Sequence, residues 1–216
     1  MGIADYQIIV SNIGKIVLGI NAILFLIGFF RNGKAYKLFT IYLFLMSIIQ
    51  FFTYYLWKEG LYNLHLSHYY LVIQFILLGL FYHTLFKSRT QKWLIISVLI
   101  FVVLILIIQS YLYPELLYRF NLLEIILTSL PIVFFSVIQF YNSLSEKKEF
   151  MYVNSGIFIY VLSSTLIFCS GNIMTELDPS INNLVWFMNV VLYLVYQILI
   201  SVEWFLNFRK KSIKIK

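Results

Sequence analysis

Seven long apolar runs, separated by short polar segments, are the feature that most constrains the fold of this chain. Each run has about 20 residues or more, the length that a helix needs to cross the hydrocarbon core of a bilayer. A membrane β-barrel would instead show apolar and polar residues in alternation, which these runs lack. The pattern therefore predicts an all-α, integral membrane seven-helix bundle that forms a single transmembrane domain over residues 1–216. The predicted helices cover residues 9–30, 36–57, 67–86, 93–113, 120–141, 151–174 and 183–208.

Composition excludes a water-soluble domain. Hydrophobic residues make up 62% of the chain and charged residues 12%, whereas soluble domains are about half apolar and about one quarter charged. A globule of 216 residues cannot hide so much apolar surface. Cys169 is the single cysteine, so an intrachain disulfide is excluded.

The distribution of positive charge predicts the orientation of the bundle. Thirteen of the 16 Lys and Arg residues follow the first, third, fifth and seventh runs, or immediately precede the next run. The opposite connections hold only Lys58 and Arg119. Because cytoplasmic segments carry the excess of Lys and Arg, we expect the N-terminus outside and the C-terminus inside. A bacterial inner membrane is the expected location.

Polar residues recur on one face of six of the seven predicted helices, and such faces should turn toward the bundle interior. In the seventh helix Asn189 and Gln197 share this face. The fourth helix differs, because Ser97 is its only polar residue between positions 94 and 108. We expect the fourth helix to be peripheral, joining two triplets of helices in a 3+1+3 arrangement with two parallel repeats.

Polar and aromatic residues toward the outer ends of the helices form a candidate ligand pocket that opens to the outside. Asn, Gln, Ser and Tyr side chains also hold membrane helices together by hydrogen bonds, and the sequence supports this packing role equally. The candidate ligand-binding residues are Tyr54, His68, Tyr70, Gln74, Glu124, Asn172, Asn182, Trp186, Asn189 and Tyr193.

Acidic and basic residues inside the predicted helices call for charge partners. Glu124 either reaches water, pairs with Arg119 or Lys15, or serves the pocket. Lys15 is expected to extend its amine toward the membrane surface. Glu203 precedes Arg209 closely enough to predict an interfacial ion pair.

Several kinds of chemistry find no support in the sequence. No phosphate-binding loop, metalloprotease motif or serine hydrolase elbow occurs, and no aspartate lies inside a predicted helix. His65 and His68 are two possible metal ligands without a third. We therefore expect neither an enzyme nor a metal or cofactor site. The basic segment Arg209–Lys216 is explained by membrane lipids as partners, without nucleic acid.

The chain resembles short, uncharacterised bacterial seven-helix membrane proteins, some of which are encoded beside sensor kinases. The segment Tyr70–Phe86 (YLVIQFILLGLFYHTLF) carries this resemblance. It implies a signalling or accessory role. Together with the outer pocket, this predicts a small-molecule sensing or signal-accessory bundle, and the short cytoplasmic tail then requires a signalling partner. The alternative is a small-solute transporter with a 3+1+3 helix plan. Its expected path consists of Gln50, Gln74, Tyr160, Asn189 and Tyr193.

Overall fold

The computed structural model describes residues 2–145, 149–169 and 179–213, and all regular structure in these ranges is helical. Seven helices within the described ranges are long and apolar enough to cross a membrane. A 3-10 helix (Pro114–Tyr118) lies between α4 and α5, and α7 continues through a π-helical turn (Trp204–Phe208) into the short α8. The helices are α1 (Ile3–Ile27), α2 (Lys34–Lys58), α3 (His65–Leu85), α4 (Arg89–Leu112), α5 (Leu122–Asn142), α6 (Met151–Cys169), α7 (Pro179–Glu203) and α8 (Arg209–Ile213).

Six of the long helices form a closed ring, and α4 packs outside it. The ring runs in chain order from α1 through α2, α3, α5, α6 and α7 and closes between α7 and α1. The fourth helix contacts α3 and α5, as predicted for a peripheral helix. Rotating the ring by half a turn places α1 on α5, α2 on α6 and α3 on α7. This neighbour order suits a 3+1+3 arrangement, and the sequence repeat stays a prediction.

Some helices extend beyond their apolar runs. The first helix begins at Ile3 rather than at residue 9, and Asp5 in its first turn accepts a hydrogen bond from the main-chain nitrogen of Gly2. The fourth helix begins at Arg89 rather than at residue 93. In both cases the added residues form a polar first turn, which hydropathy alone does not detect. The predicted end of the sixth helix, residues 170–174, lies outside the described residues.

Below, the end of the bundle at which α1 begins is called the outer end, after the orientation that the charge bias predicts. The opposite, inner end is filled by aromatic rings whose centroids lie 4.8–6.3 Å apart. All of these side chains are buried. They come from α1, α2, α3, the π-helical turn after α7 and the residue before α6, so they close the inner end of the ring. This aromatic cluster consists of Phe25, Tyr36, Phe39, Phe81, Phe150 and Phe208.

Two polar contacts fix neighbouring helices of the ring. The Asn21 amide on α1 donates to the main-chain oxygen of Gln197 on α7, at 2.8 Å, and accepts from the Ser201 hydroxyl. On the other side, the Asn154 side-chain oxygen on α6 accepts from Tyr82 on α3 and from Ser136 on α5. Such bonds hold helices together where lipid provides no hydrophobic driving force.

The fourth helix is attached to α5 at both of its ends by reciprocal amide pairs. Near one end, the side chains of Gln91 and Asn142 exchange two hydrogen bonds of 3.0 and 3.1 Å. Near the other end, Gln109 and Asn121 do the same at 2.9 and 3.2 Å. The apolar middle of α4 therefore lies between two polar attachments, which hold this helix in place without a polar face.

Candidate functional site

A cavity of about 350 Å³ opens at the outer end of the ring, between α2, α3, α5, α6 and α7. Apolar and aromatic side chains make up most of its wall, with a few amide and hydroxyl groups among them, as in many small-molecule sites. We call it the central cavity. Its polar and aromatic lining comes from Gln50, Thr53, Asn63, Ser67, His68, Tyr70, Phe120, Asn121, Tyr160, Phe168, Trp186 and Asn189.

Of the two α7 residues that line the central cavity, Asn189 lies deeper. It lies ten residues after the start of that helix, which corresponds to about 15 Å along the helix axis. Its side-chain oxygen is buried and accepts no hydrogen bond from the described part of the chain. Trp186 lies one turn closer to the outer end, with its rings 5.8 Å from the Phe168 ring. The cavity thus combines an unpaired acceptor with flat aromatic walls.

A layer of tyrosines forms the floor of the central cavity. The ring of Tyr160 stacks on Tyr196 at 5.5 Å, with 9° between the ring planes, and packs against Tyr193 at 5.4 Å. The Tyr196 hydroxyl lies 3.3 Å from the Tyr42 hydroxyl, which in turn donates to the Gln74 side-chain oxygen at 3.4 Å. We call these five residues the tyrosine floor. Between this floor and the inner end lies the aromatic cluster, so the described residues close the cavity toward the inner end.

An ion pair between α3 and α5 lies in the wall beside the central cavity. The Nδ1 atom of His68 is 2.5 Å from a carboxylate oxygen of Glu124, and both side chains are buried. Each residue is in the first turn of its helix, where the helix dipole favours the negative charge of Glu124. Asn121 caps α5 by accepting a hydrogen bond from the main-chain nitrogen of Glu124.

A second cavity, of about 330 Å³, lies on the other side of this ion pair, between α3, α4, the 3-10 helix and α5. We call it the lateral cavity. His68 and Asn121 line both cavities, whereas Glu124 lines only the lateral one. The ion pair and the α5 cap therefore form a polar partition between the two cavities, and a change in either cavity would act directly on the contact between α3 and α5.

The structure brings some of the predicted ligand residues together and separates others. His68, Tyr70, Trp186 and Asn189 line the central cavity, and Glu124 lies behind its wall. Gln74 and Tyr193 belong to the tyrosine floor. Tyr54 faces a groove between α1 and α2, and Asn182 does not line the central cavity. Asn172 lies outside the described residues.

The predicted partners of the two acidic residues differ from the observed ones. Glu124 pairs with His68, rather than with Arg119 or Lys15. The carboxylate of Glu203 is fully buried and accepts hydrogen bonds from the Tyr152 main-chain nitrogen and the Asn207 amide, at 2.9 and 2.7 Å. Glu203 therefore caps the start of α6, and an interfacial ion pair was the wrong expectation.

Several residues important for the site gave little signal in the sequence. Asn121 and Asn63 lie in loops, where periodicity along a helix has no meaning. Phe168 is an apolar residue of the sixth helix, and hydropathy does not distinguish it from its neighbours. Asn154 was missed because it shares its helix face with no other strongly polar residue. The His68–Glu124 contact joins residues 56 positions apart, and the sequence places both at the outer end of the bundle without predicting that they pair.

Comparison with family models, curated proteins and solved structures gives no match to this chain. The class of protein therefore follows from the fold itself. Seven apolar helices in an all-helical chain define a multi-pass membrane protein with a helical bundle.

Proposed function

We propose that this protein is a small-molecule sensing or signal-accessory bundle that binds its ligand in the central cavity. The supporting observation is the shape of this cavity, which opens at the outer end and is closed by the tyrosine floor and the aromatic cluster. A site accessible from one side suits detection of a molecule on that side. A transporter needs access from both sides.

The lining supports a neutral, flat ligand with a hydrogen-bond donor. Among the described residues of the lining, His68 is the only titratable side chain apart from tyrosines, and it pairs with Glu124. Trp186, Phe168 and Tyr160 offer aromatic faces, which favour stacking of ring systems. The unpaired side-chain oxygen of Asn189 would accept a hydrogen bond from the ligand.

The seventh helix connects the ligand site in the central cavity with the inner end of the bundle. It carries Asn189 in the cavity, Tyr196 in the floor and Glu203 at the α6 cap. A shift of α7 on ligand binding would therefore move the contacts of α6 at its middle and at its start. The basic segment that follows α7 is the part we expect a cytoplasmic or membrane signalling partner to contact, in a bacterial inner membrane.

Binding of indole to the purified protein tests the cavity, because indole is neutral, flat and carries one N–H donor. We expect Asn189→Leu to weaken indole binding about fivefold to tenfold, as expected for loss of one hydrogen bond worth about 1 kcal/mol. Isothermal calorimetry or the indole-dependent shift in melting temperature would measure the effect.

Asn182→Leu is the matched control, since it removes the same amide from the same helix outside the cavity lining. It should leave indole binding unchanged. Equal binding by wild type and Asn189→Leu would contradict the assigned site. Specific uptake of a bound solute into proteoliposomes, abolished by Asn189→Leu, would replace the sensing function by transport.

The proposed orientation has its own test by cysteine labelling. In a Cys169→Ser background, single cysteines replace the exposed Tyr62 between α2 and α3, or the exposed Lys210 in α8. A membrane-impermeant maleimide should label Tyr62→Cys in cells whose inner membrane is intact, and Lys210→Cys only after that membrane is permeabilised. The reverse pattern would overturn the N-outside, C-inside orientation.

A further inference from the structure

A groove between α1 and α2 lies apart from the central cavity and contains Lys15. Its volume is about 510 Å³, and Asn12, Ser47, Gln50 and Tyr54 supply its polar and aromatic lining. Toward the outer end it continues into a cleft that also contains Lys15, Asn12 and Gln50 and reaches Trp57. The groove is therefore continuous from the level of Lys15 to the outer end of α2.

Lys15 is a cation that lacks an acidic partner among the described residues. Its amine lies 4.9 Å from the centroid of the Tyr54 ring, and the described chain gives it no salt bridge. The side-chain amides of Asn12 and Gln50 likewise make no hydrogen bond within the described residues. A charge inside a membrane span is costly unless a partner compensates it, so the Lys15 amine favours an anionic ligand or the membrane surface. The two partly buried amides beside it can donate hydrogen bonds to the same ligand.

Gly19 keeps the deeper part of this groove open. It follows Lys15 by one helical turn on the same face of α1, and a Cβ atom added there would meet no atom within 4 Å. Added Cβ atoms at Gly14, Gly79 and Gly156 would instead lie less than 3.0 Å from a neighbouring side chain. Those glycines allow helices to approach, whereas Gly19 leaves space beside an unpaired cation.

The groove faces the membrane rather than the interior of the bundle. The two apolar residues at its rim, Ile16 and Phe51, are 63% and 65% exposed, whereas Leu18 at its base is buried. A molecule can therefore enter from the side, out of the lipid. Its polar end would meet Lys15, Asn12 and Gln50, and its apolar end would lie over Gly19.

We propose that this groove is a binding site for an anionic phospholipid of the surrounding bilayer. The phosphate pairs with the Lys15 amine and accepts hydrogen bonds from the amides of Asn12 and Gln50. One acyl chain lies over Gly19 between Ile16 and Phe51. The site is independent of the proposed ligand in the central cavity, although Gln50 lines both spaces.

Native mass spectrometry of the detergent-purified protein tests this site with phosphatidylglycerol and with phosphatidylcholine of the same acyl chains. We expect the first bound lipid to be preferentially phosphatidylglycerol. Lys15→Gln should weaken phosphatidylglycerol binding about fivefold, equivalent to about 1 kcal/mol for one cation near the membrane surface. Lys15→Arg should keep the preference. Lys15→Gln should weaken phosphatidylcholine binding less than phosphatidylglycerol binding, because the choline cation already offsets the phosphate charge.

Lys58→Gln is the matched control, because it removes an exposed cation at the outer end of α2, outside the groove lining. Equal effects of Lys15→Gln and Lys58→Gln, or no effect of Lys15→Gln, would overturn the site. Gly19→Leu fills open space and should weaken both lipids. Unchanged binding by a Gly19→Leu protein that keeps its helical circular dichroism would overturn the acyl-chain position.

Discussion

Glu124→Ala should lower the free energy of unfolding by about 3–5 kcal/mol, the cost of removing one member of a buried ion pair. The substitution leaves the His68 imidazole buried between α3 and α5 without the carboxylate that it contacts at 2.5 Å. It also removes a negative charge from the first turn of α5, where the helix dipole favours one. Unfolding of the detergent-solubilised protein with increasing denaturant would measure the change.

Glu115→Ala provides the matched control for this prediction. Glu115 is an acidic residue near the same end of the bundle, but it is exposed and lies in the 3-10 helix. Its removal should change the free energy of unfolding by no more than about 0.5 kcal/mol. The double substitution His68→Leu and Glu124→Leu should recover most of the loss, because it removes both buried polar groups together. A loss that is the same for Glu124→Ala and Glu115→Ala would show that the pair does not stabilise the bundle.

The spans of the fold could be predicted because hydropathy measures the property that the bilayer selects. A helix in lipid satisfies its own backbone, so the seven apolar runs are sufficient to locate the seven long helices without any tertiary information. The peripheral position of α4 followed from the same property, since a helix without a polar face has no reason to lie in the ring. The polar first turns of α1 and α4 were missed because they lie outside the apolar runs.

The candidate site was predictable only in part, because periodicity places a residue on a helix face but does not identify what that face contacts. Asn189 and Gln197 were correctly expected to turn inward, and both are buried. Asn189 lines a cavity, whereas the main-chain and side-chain oxygens of Gln197 accept hydrogen bonds from the Asn21 amide. An amide side chain on one helix face thus serves a candidate site in one case and helix packing in the other.

Whether a residue lines the central cavity or belongs to the tyrosine floor depends on its depth in the bundle. Tyr70 and Gln74 share a face of α3, yet Tyr70 lies in the cavity wall and Gln74 one turn deeper, beside Tyr42. At that level the ring is filled by large aromatic side chains from opposite helices. The sequence cannot predict which level of the bundle is filled, because this depends on how side chains from α2, α6 and α7 meet across the ring.

Gly156→Leu should prevent α6 and α7 from packing, with a larger effect than most single substitutions in the bundle. A Cβ atom at this position would lie 2.6 Å from a ring carbon of Tyr196 and 3.5 Å from the Cβ atom of Leu199. Tyr196 cannot turn away easily, because it is 1% exposed and stacks in parallel on the Tyr160 ring. Even Gly156→Ala should cost about 1–3 kcal/mol, the usual range for overpacking of a core.

Gly19→Ala is the matched control, because this glycine also lies within a membrane-spanning helix but has open space beside it. We expect Gly19→Ala to be neutral or to stabilise the protein by about 0.5–1 kcal/mol, as alanine restricts the unfolded chain more than glycine does. Thermal unfolding of both alanine variants in one detergent would compare them directly. Equal stability of the two variants would contradict the close approach of α6 and α7. If the prediction holds, the tyrosine floor depends on Gly156, since only a residue without a side chain lets the Tyr196 ring reach the position from which it stacks on Tyr160 and closes the cavity.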